Sequence, residues 1–419
     1  MTQAATQLPE VEVTAARLTD QTGLVLRIQG TDYGGWTSVR VRRSLEEASS
    51  SWACEVSERW PGQADPWPIK PGDKCEVILD GHLVNTGWVD AYSVAFDAHT
   101  HRIEARGRSL TEDAVDSSVE IDAGQLQGLT LQQIAERVLK PLGIKIAYNA
   151  PAGEKLPDVQ VQQGETVHAL LERLSRLPGI LVSDDEQGRL VFTRAGARRA
   201  TGKLVQGENI VAASAEFDWT DRASTITVKA HNTNVNDAPD WDPASGDGGD
   251  TGAGDGGGDG ADDAESGTPG TGDTLVAPSG SATDPAVTRH RPVIIYGEHL
   301  MDAKQAAQRA AYERARRIGR SQRARVTVQG WTQPDGSLWH AGDMVPITAR
   351  FLVGLDASLV IAAVEFLKDD AGSRTELELT LPGAFMASAQ EMDQAAKPAS
   401  GDSKDTKKAW DQGAAGGEP

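Results

Sequence analysis

Basic residues are in short supply: 41 Lys and Arg stand against 61 Asp and Glu in 419 residues, a formal net charge of −20. Such a surface repels phosphate polymers and anionic bilayers, which argues against a general nucleic-acid or membrane-surface binder. Cysteine is nearly absent. Cys54 and Cys75 stand far apart, in neither a CxxC nor a paired CxxC setting, and are expected as small apolar residues in a reducing compartment. Long apolar runs are missing too. The longest, Leu359 to Val364, falls far short of the ~20 residues a membrane-spanning helix requires, so no membrane insertion is expected. Met1 to Gln7 has no basic start and no apolar stretch, so no signal peptide is expected and the chain should fold in a cytoplasm. Neither G-x-S-x-G nor H-E-x-x-H occurs, which leaves serine-hydrolase and zinc-hydrolase chemistry without a foothold.

What is present is an ordinary globular balance, long enough for two to four domains. From Val11 to about Ser109 the pattern is that of strands. Leu24–Ile28 and Val39–Arg42 alternate apolar with other residues, and Val77 to Val84 centres on Asp80-Gly81, a pair suited to a tight hairpin turn. The period then changes. Leu131, Ile134, Val138 and Leu139 make a helical stripe closed by Pro141 and Gly143, and Ile144–Ile146 should follow as a strand. Thr166 to Leu174 reads as a second helix, before a hairpin of Ile180–Val182 and Leu190–Phe192. Between Asn236 and about Asp284 the composition collapses to Gly, Asp, Ser, Thr and Pro, with nothing to bury. A calcium-binding β-roll also uses Gly and Asp, but its repeat requires a regular apolar position that is missing here. A helix from about Met301 to Arg317 offers Ala303, Ala306, Ala307, Ala310 and Ala311 as a narrow packing face, and strands follow up to Leu381.

The expected fold is therefore α+β and β-rich, with two similar small β-barrels around an α+β insertion. The boundaries are residues 8–115 for the first barrel, 116–200 for the insertion and 201–235 for linking strands. A flexible Gly/Asp-rich loop takes 236–286, a helix plus second barrel 287–386, and a disordered tail 387–419. The duplication rests on two passages. Pro71-Gly72-Asp73 through Val77 matches Ala341-Gly342-Asp343 through Ile347, and Asp97, Arg102 and Glu104 match Asp369, Arg374 and Glu376 at equal spacing.

In this order of parts the chain resembles the baseplate hub, or tail protein P, of Mu-like contractile phages. The carriers are the N-terminal strand block, Pro71-Gly72-Asp73, and the passage from Gly164-Glu165-Thr166 through Arg173-Leu174 to Gly188–Ala195. The Ala/Arg-rich helix and Gly336-Ser337-Leu338-Trp339 leading into Gly342-Asp343 complete them; the Asp/Gly loop and the long tail are departures. The resemblance implies a non-enzymatic structural protein of the virion, related in architecture to the hub part of type VI secretion spike proteins. It implies a homotrimer whose six barrels form a pseudo-sixfold ring, with the central spike, the tail tube and other baseplate proteins as partners. DNA would pass through that ring without stable binding, and assembly would take place in the host bacterial cytoplasm.

No catalytic, cofactor-binding or metal site is expected. Gly196 to Lys203 is a faulty phosphate loop, with five residues between the glycines and Leu204 where Ser or Thr should stand. Asp97, His99 and His101 share a face if extended and could hold a metal, but a turn with solvated imidazoles is the plainer account. His290 and His299 have no partners at an informative spacing. Glu154, Asp158, Glu165, Asp184, Asp185 and Glu186 ring the insertion, yet no pair is singled out by an apolar setting as glycoside hydrolysis requires. Trp36, Trp52, Trp60 and Trp67 suit sugar stacking or core packing. The alternative function is thus a carbohydrate-binding or cell-wall-degrading tail component acting on the host envelope. Arg309, Arg314, Arg316, Arg317, Arg320, Arg323 and Arg325 form a basic cluster expected on a protein interface or a solvated helix face.

Overall fold

The computed structural model describes residues 23–57, 69–97, 101–121, 125–151, 153–156, 159–176, 179–196, 198–231, 278–300, 303–349 and 358–385. The chain divides into two compact units, one of residues 1–222 with 315–419 and one of residues 223–314.

The larger unit begins with β1 (Leu24–Ile28), β2 (Thr31–Tyr33), β3 (Ser38–Ser44), β4 (Ser51–Ser57), β5 (Lys74–Leu79), β6 (His82–Phe96) and β7 (His101–Ser109). They pair antiparallel in the order β3-β4-β7-β6-β5-β1-β2. The Asp80-Gly81 turn forms as expected: φ angles of 45° and 82° place both residues in the left-handed region, and Leu79 sits opposite His82. Alternate residues such as Leu26, Val41, Trp52 and Val77 turn into one core. Cys54 and Cys75 lie among them. Burial pushes the Cys75 thiol up to about 12 and the Cys54 thiol well above its usual value, so both are inert packing residues.

The insertion follows as α1 (Glu112–Asp116), β8 (Gln125–Leu126), α2 (Leu131–Leu139), β9 (Ile146–Tyr148), β10 (Val159–Gln160), α3 (Val167–Ser175), β11 (Leu181–Asp184) and β12 (Leu190–Thr193). Thr130 and Gln133 cap α2 reciprocally, and Thr166 accepts the Ala169 N–H to cap α3. Each cap contributes about 1 kcal/mol. The stripe Leu131, Ile134, Val138 and Leu139 packs with Leu170, Leu171 and Leu174 around Leu190 and Phe192. β9 begins two residues later than the apolar pattern suggests. Gly143, at φ 69°, ends the helical turn, and Ile144 is used to plug the core beneath it.

Beyond β13 (Arg198–Arg199), β14 (Leu204–Val205) and β15 (Ile210–Phe217) the chain enters the smaller unit. There β16 (Thr225–His231) pairs antiparallel with β17 (Ser279–Thr283) and parallel with β18 (Pro292–Leu300). α4 (Ala303–Arg320) follows, and the division between the units falls within it. Three expectations change here. Residues 236–277 of the expected Gly/Asp-rich loop 236–286 lie outside the described residues, whereas Ser279–Thr283 within that span is a strand. Its small side chains allow a helix to lie on it: a Cβ on Gly280 would sit 2.1 Å from the Ala307 nitrogen. The span 201–235, expected as linking strands, splits between the units, with β15 in the larger and β16 in the smaller. Of the alanine face, Ala306 and Ala310 are buried, whereas Ala303, Ala307 and Ala311 are exposed. The expected tail 387–419 lies outside the described residues.

The larger unit resumes with β19 (Gln322–Gln329), β20 (Asp343–Thr348), β21 (Ser358–Asp369) and β22 (Gly372–Thr380). Their order, β15-β19-β22-β21-β20, repeats β3-β4-β7-β6-β5 strand for strand. Both repeats carry a bulge at the same place, between Val89 and Ala91 in β6 and between Ile361 and Ala363 in β21. Arg102 and Glu104 face Ala95 and Ser93 as Arg374 and Glu376 face Leu367 and Glu365. β3 pairs with β21, so the two repeats lie edge to edge in one sheet, and among the described residues no pairing closes either into a barrel. One core continues through both, from Trp36 and Leu26 to Phe366 and Leu379.

Candidate functional site

The residues weighed for chemistry are dispersed. Trp36 and Trp52 are buried in the main core and present no ring to a sugar; Trp60 and Trp67 lie outside the described residues. Asp97 is exposed at the end of β6, His99 lies outside the described residues, and His101 starts β7. Among the described residues no three His, Cys, Asp or Glu side chains gather as a metal site. The Thr201 and Gly202 amides, which a phosphate loop would aim at its ligand, donate to Gln333 Oε1 at 2.9 and 3.0 Å. Glu165 holds Arg173 in a bidentate pair at 2.8 and 2.9 Å, Glu154 is exposed, and Asp158 lies outside the described residues.

Asp184 and Glu186 instead join a buried polar cluster. The guanidinium of Arg43 on β3 pairs with Glu186 and donates to the Asp184 carbonyl at 3.0 Å. Asp184 Oδ2 accepts from the Ser50 amide at 3.0 Å and its hydroxyl at 2.6 Å, while Asn85 of β6 donates to the Ser50 hydroxyl at 2.7 Å. Burial alone would raise Glu186, but the His340 hydrogen bond and the Arg43 charge outweigh it and hold its carboxyl far below the usual range. Burial dominates at Asp184 and pushes its carboxyl up despite Arg43 and Ser50. Asp185 is engaged with Arg189 at 2.6 Å. This cluster ties the β11–β12 hairpin to both β3 and β6. It is a brace, with no catalytic pair facing a cavity.

A second charged set lines the junction of the repeats. On the outer face Arg42 of β3 meets Glu378 at 3.2 Å, Glu47 at 3.3 Å and Glu365 at 3.9 Å, and Arg40 pairs with Glu365. Beside it lies a groove of about 240 Å³ lined by Glu46, Glu216, Arg320, Arg323, Arg325 and Glu378, among others. Most of the expected basic cluster is spent on local partners. Arg320 meets Glu46 at 2.5 Å, Arg325 meets Glu378 at 3.2 Å, and Arg317 donates to the Asp221 carbonyl at 2.7 Å. In the smaller unit Arg309 pairs with Glu313 at 3.5 Å and Arg314 donates to the Thr283 carbonyl at 3.1 Å.

Sequence reasoning missed the exposed strand edges. Past its bulge, β6 pairs with β7 on one side and with no described strand on the other, and Val94 and Phe96 are 55% and 77% exposed. β15 is the outermost strand of the sheet, with Val211 64% and Phe217 48% exposed. Alternation in Val89–Phe96 marks a strand in the sequence, but only the pairing shows which side of it is open. Exposed apolar residues on an open edge are what an interface requires and a solitary subunit avoids.

Family models match three stretches of the chain. The Mu phage baseplate assembly protein GpP-like N-terminal domain covers residues 23–109, and the baseplate hub protein gp44-like second domain covers 111–194. The fourth domain of Mu phage baseplate assembly protein GpP covers 302–388. The baseplate hub protein gp44 of Escherichia phage Mu is 32% identical over 368 residues, 87% of this chain and 89% of that protein. Among solved structures, the 43 kDa tail protein of prophage MuSo2 from Shewanella oneidensis is 35% identical with a TM-score of 0.72, covering 87% of this chain and 99% of that one. The tail protein from Neisseria meningitidis MC58, 20% identical with a TM-score of 0.69 over 87% and 97% of the two chains, shares the fold.

Proposed function

The chain belongs to the baseplate hub family of Mu-like phages, and from that premise we propose that three copies close into a ring joining the tail tube to the central spike. It is a structural protein of the phage tail and not an enzyme. The observation that carries the proposal is the repeated strand order, β3-β4-β7-β6-β5 and β15-β19-β22-β21-β20. Each repeat acts as one small tube-like domain, the first within residues 8–115 and the second made of β15 together with β19 to β22, so three chains supply six similar blocks. Such a ring presents a sixfold face to a tube and a threefold face to a spike, a closed assembly of the kind that symmetric oligomers favour. The insertion 116–200 stands off the ring.

DNA leaves the particle through the bore, and a charge of −20 per chain keeps that bore from holding phosphates. Assembly takes place in the bacterial cytoplasm and ends in the virion of a contractile-tailed phage. Light scattering of the purified chain, alone and with its spike protein, tests the reading. A species of three chain masses, each 44.5 kDa, is expected. A monomer that persists at high concentration with the spike present overturns it.

A further inference from the structure

We infer that the edges of β15 and β6 that pair with no strand among the described residues are two halves of one interface, along which β15 of one chain adds antiparallel to Ala91–Phe96 of a second copy. The inference rests on the trimeric reading and specifies its contact. Its template is inside the chain. Past the bulge in β21, Ala363–Lys368 pair with β22 on one side and with β3 on the other. Just before the bulge, the Gly342 N–H donates to the Ile361 carbonyl at 2.8 Å. β6 reproduces each feature: the Gly72 N–H donates to the Val89 carbonyl at 2.8 Å, the bulge follows, and Ala91–Phe96 pair with β7. The strand that would correspond to β3 on its far side is missing among the described residues. β15 holds the place of β3 in the C-terminal repeat, and among the described residues no strand pairs with its own far side.

The ladders determine the register. Ser214 faces Arg325, which faces Glu378; Arg40 faces Ala53, which faces Arg106. Ser214 therefore corresponds to Arg40, and Glu378 to Arg106. Inside the chain Arg43 lies opposite Val364 and Val41 opposite Phe366. Transferred to the open edges, Phe217 falls opposite Tyr92, Ala215 opposite Val94 and Ala213 opposite Phe96. Tyr92 and Ala215 both pack against the main core, so the two rows point to the same face. A slip of one residue would turn one row outward, which makes this register distinct from its neighbours.

Charge supports the same pairing with its sign reversed. Arg42 meets Glu378 across the internal junction at 3.2 Å. The residue in the place of Arg42 is Glu216, and that in the place of Glu378 is Arg106. Both are exposed, and among the described residues neither has an ion-pair partner, Arg323 opposite Glu216 included. A β3 edge offered to β6 would set Arg42 against Arg106, and a β15 edge offered to β21 would set Glu216 against Glu378. Each edge thus rejects the wrong strand, which forces the two repeats to alternate around a ring.

Two sets of full-length variants test this. Glu216→Arg and Arg106→Glu, each alone, are expected to shift the concentration for trimer dissociation at least about tenfold upward, and the double variant to restore it. The pair Val94→Cys with Ala215→Cys, treated with an oxidant or a short bis-maleimide, is expected to yield covalent dimers and trimers on a denaturing gel. The native thiols are buried and do not compete. A wild-type trimer unmoved by either charge reversal, with no cross-linking by the cysteine pair, overturns the register while leaving the ring intact. A wild-type protein that never forms trimers removes the ring and this contact together.

Discussion

The two repeats share strand order, bulge position and hairpin pairing, yet their edges have been put to different uses. At the internal junction, β3 and β21 meet through the buried Val41, Val364 and Phe366 on one face and the Arg40, Arg42, Glu365 and Glu378 charges on the other. The corresponding edges of β6 and β15 carry Val94, Phe96 and Phe217 in the open. The repeats thus carry two edges of one kind, one paired within the chain and one with no partner strand among the described residues. The lesson is that a residue's burial depends on which edge its strand was given, and its type alone does not reveal this.

The contrast should be largest in the core-facing row. Phe366→Ala, at a side chain only 1% exposed, is expected to cost about 3–5 kcal/mol. Val94→Ala, at the corresponding position of β6, should change the stability of the isolated chain by less than ~0.5 kcal/mol. Urea denaturation of both variants at low protein concentration measures the difference. Comparable losses would mean the β6 edge is already covered within the chain.

Arg43 and Phe217 hold the same ladder position and offer a second contrast. Arg43→Ala strips the buried Asp184 and half-buried Glu186 carboxyl groups of their cation, and a loss of about 3–5 kcal/mol is expected. Phe217→Ala should weaken association with little effect on thermal unfolding of the monomer. Melting curves and light scattering on the same samples separate the two effects.

The acid and alkaline limbs of stability should also part. Glu186 is held below its unfolded value, so its contribution is present above ~4.3, the ordinary glutamate pKa, and is lost as pH falls through the depressed folded value. Glu112 behaves in the opposite sense. Burial, with Asp90 nearby, raises its carboxyl to about 8 against the pull of Arg108. Its contribution is therefore full below ~4.3 and is lost as pH rises through about 8. Glu112→Gln should flatten the decline in melting temperature between those limits, whereas Glu186→Gln should flatten the acid limb. A Glu112→Gln variant whose profile keeps the wild-type slope counts against the shifted carboxyl.

The smallest effect is expected outside both repeats. Replacing Asp247 to Asp273 by a short Gly/Ser linker should leave melting temperature and trimer mass nearly unchanged, since loop-closure entropy depends only weakly on length. A large drop, or stabilisation of the wild type by calcium, would show that the segment folds.

Local structure was legible in the sequence wherever short-range chemistry decides it. Alternation located β1 and β3, Asp80-Gly81 defined its hairpin, and apolar stripes marked α2 and α3, whose Thr130 and Thr166 caps only the structure showed. The matching Gly-Asp openings and Asp-Arg-Glu turns pointed to the duplication, because turn geometry restricts which residues can repeat there. Pairing between distant strands left no such local mark. That Arg42 would meet Glu378, that Glu186 would brace Arg43, and that Ser279–Thr283 would form a strand under α4 depends on which surfaces fold against each other. So does the open state of β6 and β15. An alternating strand reads the same in sequence whether its edge is covered or bare, and only the sheet's order shows which side still lacks a neighbour.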